Sequence, residues 1–229
     1  MKIGRLVGSV TTVLVGAAFV VAMGLLLHQR AAPAQGAAVQ IRGTASSPQG
    51  NVKHVFIHLA TYPDSMAGEH GADGGAQPGW VSYGPTTDLK VPAHSLVTVT
   101  IKQYDTGGEV TNPYFARVHG TLGGTETVNG KKVTGVDSKA IGHTFTLHAA
   151  PTAQDPLYVS APLPAVSDTA PTAKDSNYAK PIVVMFSFMT HGPGKYVWNC
   201  EYPCGDGYYA KFGGPMSTRG YMSGTLTVS

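Results

Sequence analysis

The strongest constraint in this chain is a period of two. Val97, Val99 and Ile101 alternate with Thr98 and Thr100, Ile141, His143, Phe145 and Leu147 alternate with Thr144, Thr146 and His148, and Tyr196, Trp198 and Cys200 alternate with Val197 and Asn199. Side chains two apart share one face of an extended strand, so each stretch is predicted to be a β-strand with one face set apart from the other. Composition agrees: 29 Gly and 16 Pro punctuate the chain, while charged residues make up only 13%, about half the ~25% usual for soluble domains. Few stretches would sustain a helix, and an all-β class follows.

The C-terminal stretch Gly194 to Ser229 concentrates the soft donor atoms. The strand Lys195 to Cys200 delivers a thiol to its tip, and the strand Ser223 to Ser229 begins directly after Met222. A thiolate and a thioether at the two ends of one strand-loop-strand unit select copper over hard cations. Cys204 and Met216 lie in the same loop and extend the candidate set. A disulfide between Cys200 and Cys204 competes with this reading, because the spacing allows it if the Cα atoms approach within ~7 Å.

Gly194, Tyr196, Cys200, Met222, Gly224 and Val228 resemble the C-terminal frame of the cupredoxins, in which a G-x-Y-x-x-x-C strand presents the copper cysteine and a methionine precedes the final strand. Cys200-Glu201-Tyr202-Pro203-Cys204-Gly205 also resembles the C-x-x-x-C-G of the dinuclear copper site in cytochrome c oxidase subunit II. The resemblance implies a cupredoxin-like Greek-key β-sandwich, copper as cofactor, and electron transfer with a respiratory partner. It raises His143 as the first imidazole ligand, since a histidine-bearing strand supplies it in that family. One departure is plain: no histidine follows Cys200. The implied metal set is therefore His143, Cys200 and Met222, with Cys204 or Met216 in place of a second histidine. Two thiolates would favour Cu(I), so copper storage or delivery stands beside electron transfer. A metal-free accessory subunit with a Cys200–Cys204 disulfide is the third reading.

At the other end, Leu6 to Leu27 runs 22 residues without a charge. As a helix it would span about 33 Å against a hydrocarbon core of ~30 Å. Residues 1–28 are expected to be an N-terminal membrane anchor, or else a signal peptide with Lys2 and Arg5 as its basic start. The apolar run exceeds the ~7–15 residues of a signal core, which favours the single-pass transmembrane helix. The domain is then expected on the extracytoplasmic side of the cytoplasmic membrane. Residues 29–50, rich in Ala, Gln, Gly, Ser and Pro, are expected to form a flexible linker, leaving residues 51–229 for the cupredoxin-like domain.

Other segments are read as follows. Val52 to Ala60 is a strand carrying His54 and His58, Tyr114 to Val118 is at most a short strand, Leu157 to Tyr178 is a surface loop, and Pro181 to Thr190 is a strand buried on both faces. His119 and His148 are minor ligand candidates. His191, in the turn before the Cys200 strand, sits at the end away from Cys200. A net charge of +3 with scattered Lys and Arg excludes a nucleic-acid-binding stripe. The absence of a Ser/His/Asp arrangement, H-E-x-x-H or phosphate-cradling loop argues for an electron carrier or oxidase subunit over an independent enzyme.

Overall fold

Alternation becomes two facing sheets. The computed structural model describes residues 38–47, 50–64, 66, 80–150, 154–171, 178–204 and 214–229. Its strands are β1 (Val39–Ser47), β2 (Gly50–Tyr62), β3 (Ser82–Gly84), β4 (Asp88–Val91), β5 (Ser95–Gln103), β6 (Glu126–Val128), β7 (Lys131–Val133), β8 (Ile141–Ala149), β9 (Tyr158–Pro164), β10 (Ile182–Met189), β11 (Gly194–Asn199) and β12 (Ser223–Val228). One sheet runs β1-β2-β5-β10-β6-β7, with β3 also on β2, and the other runs β4-β12-β11-β8-β9. The chain passes repeatedly between sheets, and β2 pairs parallel with β5 as β4 does with β12. The result is an all-β sandwich.

The apolar faces meet between the sheets. In the antiparallel register of β5 and β10, Val97, Val99 and Ile101 lie opposite Phe188, Phe186 and Val184, and all six are buried. From the facing sheet, Phe145 stacks on Trp198 at 4.8 Å and reaches across to Phe186 at 5.5 Å. Tyr83 meets the edge of Trp198 at 4.9 Å, while its hydroxyl donates to the Thr144 carbonyl at 2.9 Å. The Trp198 indole N–H donates to the Thr87 carbonyl at 3.1 Å. Such buried polar tips satisfy groups that would otherwise cost free energy in the core. They also tie both sheets together beneath the end of β11.

Four sequence expectations are corrected. Part of the expected linker is a strand: β1 pairs with β2 from Val39↔Ile57 to Ser47↔Gly50. Its sequence, VQIRGTASS, is polar and mostly outside the core, so the ladder rather than an apolar face defines it. A register shift between Ile41 and Thr44 accommodates Gly43 at φ 68°, as in a β-bulge. The expected loop from Leu157 contains β9, an edge strand of its sheet. Pro162 and Pro164 are compatible with an edge, where missing N–H groups face no further strand. Pro113–Ala116 is a 3-10 turn instead of part of a strand, opened by Asn112, whose side chain accepts the Tyr114 N–H. Finally, β10 is buried on one face only, with Val183 and Met185 exposed.

The expected span Leu6 to Leu27 lies outside the described residues. Among the described residues no helix is long and apolar enough to cross a membrane.

Candidate metal centre

Neighbouring strands carry the first two donors to one place. His143 sits on β8, Cys200 follows the last residue of β11, and β8 and β11 are paired through Trp198↔Leu147 and Asn199↔Thr146. Cys204 follows in the turn. The ligand atoms of His143, Cys200 and Cys204 all lie within 4.8 Å of one another, and all three residues are buried. His143 Nδ1 faces Cys200 Sγ at 3.7 Å. Both cysteines are free thiols, so the disulfide alternative is not the arrangement observed.

The backbone ties the segment that carries Met222 to Cys200. The Cys200 N–H donates to the Met222 carbonyl at 2.9 Å, and the Met222 N–H donates to the Pro215 carbonyl at 2.8 Å. Met222 is fully buried and Met216 is half-buried, both in the apolar cluster that contains Cys200 and Cys204. His143, Cys200 and Cys204 thus converge at bonding range, with Met222 and Met216 packed in the same cluster.

Cys200 sits among hydrogen-bond donors. The backbone N–H groups of Thr144 and Tyr202 each point at its sulfur at 3.4 Å. Burial alone would push this thiol up. Hydrogen bonds from Cys204 and His143, the imidazolium charge and the Thr144 N–H outweigh that effect and hold it well below the usual thiol range. Cys204 is pushed the opposite way, by the Cys200 sulfur it donates to and then by burial. Burial would lower His143, but its bond to Asp105 and the neighbouring Cys200 raise it to about 9. Without a metal the shifts favour a proton on His143 and on Cys204 and disfavour one on Cys200. Those atoms are the soft and borderline donors that copper takes once their protons leave.

Sequence reasoning missed the second layer. Asp105 Oδ2 lies 2.9 Å from His143 Nε2, the ring nitrogen facing away from Cys200. Gln103 grips Asp105 from both sides: its Oε1 accepts the Asp105 N–H at 3.1 Å and its Nε2 donates to the Asp105 carbonyl at 3.1 Å. The Thr61 hydroxyl donates to Gln103 Oε1, and Thr106 N–H donates to Asp105 Oδ1 at 2.8 Å. Gly142 gives this chain its room, since a Cβ there would collide with the Gln103 amide. A signal did exist in the sequence. Gln103 and Asp105 continue by twos the inward set Val97, Val99 and Ile101, and polar residues on an apolar face call for buried partners.

The remaining histidine candidates have other partners. His148 Nε2 meets Asn199 Oδ1 at 3.2 Å, and His119 stacks on Tyr114 at 3.9 Å with a ring nitrogen 3.0 Å from the Tyr114 carbonyl. His54 meets the Thr98 hydroxyl at 2.9 Å. None of them joins the His143 cluster.

No model of a known protein family matches the chain, and no curated protein matches it. Among solved structures it is similar to rusticyanin from Thiobacillus ferrooxidans, at 15% identity over 83% of this chain and 97% of that one, with a TM-score of 0.31. It is similar to reduced rusticyanin at 16% identity, over 77% of this chain and 84% of that one, with a TM-score of 0.27. A multicopper oxidase aligns at 10% identity over 84% of this chain and 70% of that one, with a TM-score of 0.29. The candidate metal centre rests on this chain's own atoms: a buried imidazole and two buried thiols in an all-β sandwich.

Proposed function

We propose that this chain is a copper-binding electron-transfer protein, tethered by its N-terminal helix to the cytoplasmic membrane with the sandwich on the extracytoplasmic side, where it exchanges electrons with a respiratory partner. The observation that carries the copper reading is the buried convergence of His143 Nδ1 with the sulfurs of Cys200 and Cys204. The tether rests on the uncharged run Leu6 to Leu27, and the respiratory partner on the resemblance of Cys200–Gly205 to oxidase subunit II.

Copper, when bound, supplies a one-electron couple. The protein's own residues do the rest. His143 Nδ1 and the two sulfurs would hold the ion, with Met222 or Met216 as the thioether. The N–H groups of Thr144 and Tyr202 spread the negative charge of Cys200. Burial excludes water, and the bond to Asp105 fixes the His143 ring. A ligand set held rigid in both oxidation states would keep the reorganisation on electron transfer small.

A second reading, Cu(I) storage or delivery, is favoured by one specific feature. Cys204 stands where a second imidazole is expected, and two soft anionic sulfurs favour Cu(I).

The test uses the full chain purified without reductant, with thiol titration, copper loading and absorption spectroscopy. Electron transfer predicts two titratable thiols, a copper equivalent lost in Cys200→Ser, and an intense visible thiolate-to-Cu(II) band after oxidation. A colourless protein that keeps stoichiometric Cu(I) under air selects storage. Thiols blocked by one another together with no copper uptake refute both.

A further inference from the structure

We infer that the pole of the sandwich away from the Cys200 turn carries a separate Cu(I) site formed by His94, His191 and Met189. This inference does not depend on the function proposed for the His143 centre. The two places lie at opposite ends of the same strands. His191 precedes β11 and Cys200 follows it, while His94 precedes β5 and Asp105 follows it. At ~3.3 Å per residue these strands separate the poles by about 20–30 Å.

Strand register brings the three donors together. The β5–β10 ladder ends at Met189↔Leu96, and carrying that antiparallel register two residues further sets His191 against His94. A bond from the His94 N–H to the His191 carbonyl, 3.0 Å long, agrees with that placement. Met189 comes two residues before His191, as the period of an extended chain requires for a shared face. His94, Met189 and His191 in fact border a single cavity of about 130 Å³, completed by Val52 and Thr190.

The turns that carry these donors are locked. Buried Thr190 donates its N–H to the Ser95 carbonyl and its hydroxyl to the Pro92 carbonyl, each at 2.9 Å, and its Oγ1 accepts the Ser95 N–H at 2.9 Å. His94 itself is in the left-handed region at φ 51°, a conformation that non-glycine residues adopt at some cost in free energy. The imidazoles are exposed and therefore open to an incoming ion, while the Met189 thioether is half-buried behind them.

Donor chemistry selects the ion. Two neutral imidazoles and one neutral thioether offer no carboxylate, so calcium and magnesium lack the oxygen ligands they need. The thioether is soft and the imidazoles borderline, a set that suits Cu(I). Three neutral donors also leave a dication's charge uncompensated, which favours the monovalent ion.

The experiment titrates the full-length Cys200→Ser/Cys204→Ser chain with Cu(I) against a competing chelator. One equivalent is expected. It is lost on adding His94→Ala and His191→Ala, weakened by Met189→Leu, and unchanged by His58→Ala, an exposed histidine outside the cavity. If the serine chain does not fold by circular dichroism, the unaltered chain is titrated with Ag(I), a diamagnetic substitute, and followed by ring-nitrogen NMR. The His94 and His191 signals then shift together with one equivalent that is separate from the one moving His143. Copper uptake that survives loss of both imidazoles, or Ag(I) that leaves their signals in place, overturns the inference. A serine chain that folds and takes up no Cu(I) likewise overturns it.

Discussion

Replacing Glu126 by Gln should make the protein more stable, and by an amount that grows with pH. Glu126 on β6 is 1% exposed, and neither carboxyl oxygen has a hydrogen-bond partner among the described residues. Burial raises this carboxyl from its ordinary 4.5 to about 8. The folded state therefore holds a proton that the unfolded state releases at much lower pH. Between 4.5 and about 8 the folded chain binds more protons than the unfolded one, so stability falls as pH rises. At 1.36 kcal/mol for each tenfold change in proton affinity, the full loss reaches about 5 kcal/mol above pH 8, comparable to the ~5–15 kcal/mol net stability of a typical domain. Glutamine fits the same space and never ionises. Urea unfolding of both chains under reductant at pH 5, 7 and 9 measures the difference. A small gap at pH 5 that opens steadily to pH 9 is the expected result. His143 titrates identically in both chains and cancels in the comparison. Parallel curves for the two chains would refute the reasoning, because they would mean that Glu126 is solvated or partnered in solution.

Further outcomes follow from the site and core. Asp105→Asn removes the carboxylate from His143 Nε2, and copper affinity in a chelator competition should fall about 10–100-fold, as for other partners of metal-bound imidazoles. Gly142→Ala drives a methyl into the Gln103 amide; the strain should cost about 1–3 kcal/mol in urea unfolding and weaken copper binding through Asp105. His143 holds its proton up to about 9 in the metal-free centre, so copper loading at pH 7 should release protons into a weak buffer and apparent affinity should climb as pH rises towards 9. Phe145→Ala empties the space between Trp198 and Phe186 and should lower stability by about 3–5 kcal/mol, read as a drop in Tm.

Local pattern made some of this structure legible and left other parts silent. The strands with alternating side chains, β5, β8, β11 and β12, appear close to where the sequence places them, because a core-facing strand writes its period into its apolar residues. β1 and β9 did not announce themselves. One is polar, and the other sets Val159, Ala161 and Leu163 into the core but is interrupted by Pro162 and Pro164; both are edge strands. The β6–β7 hairpin turns through Asn129-Gly130, both at positive φ, a dipeptide known to favour such turns, but its three-residue strands are too short to show a period.

By itself the sequence determined the chemistry on offer: an all-β chain with soft donors at Cys200, Cys204, Met216 and Met222, and a histidine at 143 on an inward face. Those follow from residue type and a period of two, which are local. Only the tertiary structure decided which donors meet. His143 and Cys200 are 57 residues apart, and pairing of β8 with β11 brings them to 3.7 Å. The same holds for the Asp105 carboxylate behind the imidazole and for His94 opposite His191. Their neighbours are set by strand order and register, and these depend on how two whole sheets pack rather than on any stretch of chain.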